Sequence, residues 1–181
     1  MIKLSILFCA VLFIASPTTF VSAQKNLVLQ SANVVYKIKN AGVNTNGSFK
    51  KVAAEVLFDA NNLEKSKISA TVQVNSLDSG IGLRDKHLKG VNYFDAEKYP
   101  VISLVATKIT KTDSGYLGTF NLSIKAITQS IQLPFTVTPN GNALDFQTTE
   151  FSINRLTYGV GKSSITLSNT VNISIKATFS M

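Results

Sequence analysis

Cysteine is nearly absent from this chain, tryptophan is missing altogether, and only 4 prolines and 10 glycines punctuate 181 residues. The single cysteine, Cys9, lies inside an apolar N-terminal run, so a disulfide framework is excluded and stability must come from an ordinary hydrophobic core. Phe8 stands before it where a lipid-attachment site would want a small residue. Histidine is equally scarce, with His87 alone, which leaves no His/Cys set for a metal. No Gly-x-Ser-x-Gly elbow, zinc motif or phosphate-cradling glycine loop occurs, and these absences remove the sequence support for the commoner hydrolytic and nucleotide chemistries. Beyond the N-terminus no segment approaches the ~20 consecutive apolar residues of a membrane-spanning helix.

What is present begins with an export pattern. Lys3, an apolar run over 4–15, Pro17 and the small-residue site Val21-Ser22-Ala23 read as a secretory signal peptide over 1–23, cleaved near Ala23 to leave Gln24 first. The expected destination is the periplasm or the exterior. Residues 24–181 carry no linker, low-complexity tract or charge block and are read as one domain. The formal charge is +8, mostly lysine, but the lysines are scattered singly without stacking aromatics, which argues against nucleic-acid binding. Such a balance favours solubility and leaves open a transient contact with an anionic membrane surface.

Alternation of apolar and polar residues dominates the rest. Ile68, Ala70, Val72 and Val74 interleave with Ser69, Thr71, Gln73 and Asn75, the period of a strand with one dry and one wet face. Eight strands are expected, over 33–39, 48–58, 67–76, 101–110, 116–125, 130–138, 143–153 and 170–179, with turns at Asn46-Gly47, Asp113-Ser114-Gly115 and Asn140-Gly141-Asn142. Short connections favour antiparallel neighbours, hence an all-β, eight-stranded antiparallel barrel. The exceptions are 79–100, where Leu83, His87, Leu88 and Val91 have roughly helical spacing and predict a short helix, and the glycine-rich 156–163. Loops on a rigid barrel commonly carry recognition groups.

The apolar parity, taken as inward, gives a lining that includes Val34, Tyr36, Ile38, Phe58, Val72, Val74, Leu104, Phe120, Leu122, Phe135, Val137 and Phe146. An eight-stranded barrel is wide enough either to be filled by its own side chains or to hold one small ligand, and alternation does not choose between them. The same alternation fits a small outer-membrane barrel turned inside out, although an aromatic girdle and a terminal aromatic are missing. An enzyme using Arg84, Asp85 and His87 on an apolar substrate is a third reading.

The densest cluster of unusual residues is Arg84-Asp85-x-His87-Leu88, followed by Asn92-Tyr93-Phe94-Asp95, Tyr99-Pro100 and, later, Asn154-Arg155-x-x-Tyr158-Gly159-Val160. With Asp59 and Ser76-Leu77-Asp78, these motifs resemble the YceI-like family of exported lipid-binding proteins from about Ala32 to Phe179. The resemblance implies a lipocalin-like barrel that encloses a long-chain amphiphile such as a polyisoprenoid, an isoprenoid quinone or a fatty-acid derivative; from the missing motifs, no catalytic residue, cofactor or metal is expected. Partners beyond that amphiphile, including a second copy of the chain, stay open.

Asn40, Leu104 and Ala126 depart from the family pattern, and bear on cavity shape. Candidate ligand-binding residues are the lining positions Tyr36, Ile38, Phe58, Val72, Val74, Leu104, Phe120, Leu122, Phe135 and Phe146, with Arg84, Asp85, His87, Leu88, Phe94, Asn154, Arg155 and Tyr158 from the loops. For Arg84, Asp85, Asn154 and Arg155 a purely structural role competes with ligand contact, because guanidinium donors can tie loop carbonyls and Asp or Asn can cap a helix start. Burying about twenty carbons at ~0.8 kcal/mol per methylene is worth ~16 kcal/mol gross, against ~1 kcal/mol net for a head-group hydrogen bond. The wall should therefore supply affinity and the polar residues orientation.

Overall fold

The computed structural model describes residues 26–181, so the signal-peptide reading of 1–23 lies outside the described residues. Eleven strand segments form one antiparallel sheet: β1 Val28–Asn40, β2 Val43–Phe49, β3 Val52–Leu57, β4 Lys67–Gln73, β5 Leu77–Asp78, β6 Val101–Thr112, β7 Gly115–Ile124, β8 Ile127–Asn140, β9 Ala143–Thr148, β10 Phe151–Asn154 and β11 Leu167–Ser180. Three pairs of segments are interrupted halves of single strands. β2 runs into β3 past Lys50 and Lys51, β4 reaches β5 through a turn of 3₁₀ helix at Val74–Ser76, and β9 passes into β10 across Thr149 and Glu150. The eleven segments are thus eight staves, each paired with the next along the chain.

The ring closes on β1. One edge of β1 pairs with β11 along most of its length; the other pairs with β2 over Val34–Asn40 and reaches β3 through Leu27, whose N–H donates to the Val56 carbonyl at 2.8 Å. Register shifts between Leu29 and Ser31, between Ile38 and Asn40, and between Ala106 and Lys108 insert extra residues into the ladders. Such bulges bend a strand and increase its twist, which a small closed barrel requires.

Each expected strand lands on an observed one, with four differences of detail, the first being that the stave read as 67–76 is strand only to Gln73 and continues as 3₁₀ helix over Val74–Ser76. The stave read as 48–58 starts at Val43 and breaks after Phe49, because Lys50 N–H is drawn to the Ser76 carbonyl and Lys51 N–H to the Ser76 hydroxyl instead of continuing the β1 ladder. Asn46-Gly47 is not a turn but the middle of β2, where Gly47 pairs with Tyr36; the turn is Ala41-Gly42, both at positive φ. The stave read as 143–153 is interrupted where the Thr148 hydroxyl accepts the Ile175 N–H and takes over the ladder. The expected helix is α1, Gly82–Lys89.

The two ends of the barrel differ. At one end β6–β7 and β8–β9 turn tightly, and a cluster of rings closes the interior: Phe58 stands edge-on to Tyr116 and Phe146, and Phe146 edge-on to Phe179, with centroids 5.1 to 5.5 Å apart. Phe179 is 2 % exposed and Leu133 1 %. At the other end lie α1 with the rest of 79–100, the β1–β2 and β7–β8 turns, and 155–166. Phe94 folds inward there against Phe49, and Val160 packs on Leu122 and Ile124. These long connections lean over the mouth without filling it.

Candidate functional site

Between the two ends runs a cavity of about 260 Å³ whose wall is almost wholly carbon. That is near the lower limit of the ~300–1,000 Å³ usual for small-molecule sites. Its cause is legible stave by stave: Val34 and Ile38 from β1, Ala54 and Val56 from β3, Ile68 and Ala70 from β4, Leu104 from β6, Leu122 from β7 and Ile173 from β11 all point inward on one parity. The small side chains Ala32, Ala54, Ala70 and Ala177 leave the space that larger ones would have occupied.

Twelve of the residues singled out in the sequence stand on this wall: Tyr36, Ile38, Val72, Arg84, Leu88, Phe94, Leu104, Phe120, Leu122, Phe135, Phe146 and Arg155. Six stand elsewhere. Phe58 belongs to the ring cluster of the closed end, and Val74 is 1 % exposed in the 3₁₀ turn. Asp85 faces Ser79, accepting its N–H at 2.9 Å and its hydroxyl proton. His87 rests on the Tyr93 ring, centroids 5.0 Å apart, and Tyr158 is buried under Val160 and Ile124. Asn154 caps the 3₁₀ helix Arg155–Tyr158, its side chain accepting the Leu156 N–H at 3.0 Å. The Arg84, Asp85 and His87 trio therefore does not converge on one point of the cavity, which is the geometry an acid, a base and a polariser would need. Among the described residues no three His, Cys, Asp or Glu side chains gather as a metal-binding group.

The wall also contains residues that alternation does not mark as lining, two of which, Tyr93 and Val160, belong to the motifs quoted above. Phe49, Tyr93, Phe151, Val160 and Leu167 line the cavity. Phe49 escapes the parity because the break at Lys50 and Lys51 reverses it, odd residues facing inward in β2 and even ones in β3. The others sit at strand ends or in loops, where alternation carries no signal. Ala70 and Ala54 share the inward parity, but alternation gives no weight to the small size by which they open the cavity.

Two arginines hold the mouth in shape. Arg84 donates from Nε to the Ser79 hydroxyl at 2.8 Å and from Nη2 to the Ser79 carbonyl at 2.5 Å, anchoring α1 to the end of β5. Arg155, 4 % exposed, donates from Nε to the Ser168 carbonyl at 2.9 Å, from Nη1 to Val160 at 2.8 Å, and from Nη2 to Lys162 at 2.8 Å, Leu167 at 3.3 Å and Asn169 Oδ1 at 3.2 Å. The fork of guanidinium donors thus gathers a whole loop. Gly161 allows this approach, since a Cβ there would lie 2.8 Å from both Arg155 Nη1 and Tyr93 Cε1.

Tyr36 is the one polar anomaly. Its hydroxyl is buried with no hydrogen-bond partner among the described residues, and its ring lies so close over Gly47 that any side chain there would collide with it. Burial first, then the Asp85 and Asp78 charges, push the phenol up to about 12, against an opposing pull from Arg84. Because the folded value lies above the unfolded value of 10, the unfolded chain sheds this proton first. Stability is therefore retained below pH 10 and lost as pH rises toward 12. Tyr36→Phe, which removes the unpaired hydroxyl, is expected to raise stability by ~1 kcal/mol at neutral pH and to flatten the alkaline decline. Denaturant titrations at neutral and alkaline pH check this, and a variant less stable than the parent at both would refute it.

A closed antiparallel barrel of eight staves around an apolar cavity, sealed at one end and overhung by loops at the other, defines a lipocalin-like class of protein. Within that class the YceI-like domain matches residues 26–179, and the chain belongs to the YceI-like family. Curated relatives include a UPF0312 protein of Photorhabdus laumondii, 31% identical over 105 residues, which are 58% of this chain and 55% of that one. A UPF0312 protein of Yersinia pestis is 30% identical over 114 residues, 62% of this chain and 59% of its own. The match therefore spans less than two thirds of these relatives' length. Among solved structures, Burkholderia cenocepacia BcnA superposes with a TM-score of 0.77 at 28% identity, covering 81% of this chain and 95% of BcnA. The Campylobacter jejuni YCEI protein gives 0.69 at 25% identity, covering 77% and 86%. A polyisoprenoid binding domain from Saccharophagus degradans shares the fold, with a TM-score of 0.65 at 13% identity, covering 86% and 97%.

Proposed function

We propose that this protein is an exported carrier or store that encloses the hydrocarbon portion of a long-chain amphiphile: a polyisoprenoid, an isoprenoid quinone or a fatty-acid derivative. The observation that carries the reading is the continuous carbon wall from Phe146 at the closed end to Leu88 and Val160 at the mouth. An acyl or prenyl chain gains by leaving water for such a wall, whereas a polar metabolite would lose its hydrogen bonds there. The description of the S. degradans domain as polyisoprenoid binding supports the same choice of ligand class, through a shared fold.

A chain-length series tests it. Binding of straight-chain alcohols to the delipidated protein should tighten by ~0.8 kcal/mol per added methylene until the cavity is full, and then level off. Affinity that ignores chain length would overturn the reading. Export rests on the pattern of residues 1–23. N-terminal sequencing of protein from the cells that make it should begin at Gln24, and a start at Met1 would contradict export.

A further inference from the structure

Exposed apolar side chains are unevenly distributed over the barrel. Val43, Ile81, Leu83, Val91, Ile127 and Ile165 all lie at the open end, on four connections far apart in sequence, with Leu83 81% exposed and Ile165 entirely so. Among the described residues the other large apolar side chains left in solvent are Val28 and Met181 near the closed end and Val105 on the side of β6. The turn preceding Val43 is tied to the loop carrying Ile165, since Ala41 N–H donates to the Thr166 carbonyl at 2.8 Å. The mouth is therefore ringed by apolar tips.

Charge follows the same axis. Lys86, Lys89, Lys98, Lys125 and Lys162 stand on the connections of the open end, and the carboxylates there are Asp85, Asp95 and Glu97. Asp85 is spent on Ser79. At the closed end the connections carry Asp59, Glu64 and Asp113 against Lys65. The ion pairs among the described residues, Lys37 with Glu150, Lys50 with Asp78 and Lys176 with Asp145, employ none of those five lysines. These cations have no carboxylate partner, although Lys98 and Lys125 rest on the Tyr99 ring and Lys125 also donates to the Gly159 carbonyl, and interspersed with apolar tips they are what an interface between headgroup phosphates and acyl chains selects.

We infer that the open end docks onto the surface of a bilayer containing anionic lipid, with Leu83, Val91 and Ile165 entering the acyl boundary and the lysines lying at the phosphates. The inference rests on the proposed cavity function, because docking in this orientation sets the mouth against the acyl chains and lets a tail pass between membrane and barrel without crossing water. The closed end, whose connections carry no excess of lysine, faces away.

Sedimentation of residues 24–181 with vesicles of phosphatidylcholine, with and without phosphatidylglycerol, tests it. Expected are binding to the phosphatidylglycerol vesicles, weakening as salt rises, and a loss of about tenfold in partitioning for Leu83→Ser combined with Ile165→Ser. Lys86→Gln with Lys162→Gln should lose affinity only for the anionic vesicles. Val105→Ser, on the barrel side, should change nothing. Each rim variant should still take up a soluble fluorescent fatty acid, so a protein that sediments with vesicles but takes up no fatty acid would sink the cavity reading and leave docking standing. No sedimentation with anionic vesicles, rim variants that partition like the parent, or rim residues that instead hold a dimer dissolved by Leu83→Ser would each overturn docking.

Discussion

Arg155→Met is expected to lower the unfolding free energy by at least ~3 kcal/mol, since a buried polar group left unpaired costs ~1–3 kcal/mol and this side chain serves five acceptors. Methionine fills similar volume but donates nothing, so the carbonyls of Val160, Lys162, Leu167 and Ser168 and the Asn169 side chain must find water or go without. No carboxylate is among the partners, so the loss is of hydrogen bonds and not of an ion pair. For a domain of this size the melting temperature should fall by about 6–12 °C, at ~2–4 °C per kcal/mol. Arg155→Lys should recover little, because a single ammonium cannot span acceptors gathered by a planar fork. Calorimetry decides it, and a fall of less than about 1 kcal/mol would mean that the loop does not depend on this residue.

The second large effect concerns the cavity. Ala70 sits on the wall midway along β4, in register between Ala54 of β3 and Leu104 of β6. Ala70→Trp should be tolerated because it grows into a void instead of a packed core, in contrast to the ~1–3 kcal/mol that overpacking usually costs. The indole would displace the equivalent of about five methylenes of ligand, ~4 kcal/mol at ~0.8 kcal/mol each. Affinity for a long-chain alcohol should drop close to a thousandfold while the fold is kept. Titration calorimetry with a matched melting curve checks both halves. Undiminished binding would place the ligand outside the barrel.

Much of this arrangement is legible in the sequence because one rule, alternation of dry and wet residues, acts on every stave. Ile68, Ala70 and Val72, or Phe120 and Leu122, can face the centre only if their neighbours face water. The rule fails where the strand does. Phe49 escapes it because the break at Lys50 and Lys51 reverses the inward parity between β2 and β3, and Asn46-Gly47 looks like a hairpin turn although that glycine lets the Tyr36 ring lie across β2. Arg155 could be recognised as part of a motif, but not its partners, since its acceptors lie 5 to 14 residues downstream, divided between an irregular loop and the start of β11. Alternation was also silent on which face is inside. The structure answers with Lys37 and Lys39 outward and Tyr36 and Ile38 inward on the same strand, the reverse of what a barrel embedded in lipid requires. It is likewise silent on whether the inside is filled, because the cavity depends on alanines that no periodicity distinguishes from leucines.

The central claim is that the space between these staves is occupied by a hydrocarbon chain in the cell. Native mass spectrometry of the protein purified without detergent from the cells that make it tests this most directly. Expected is a discrete mass excess, released by organic solvent as an apolar molecule and missing from Ala70→Trp prepared in parallel. A parent protein that flies at its bare sequence mass, and that stays bare after incubation with polyprenols, quinones and fatty acids, would contradict it.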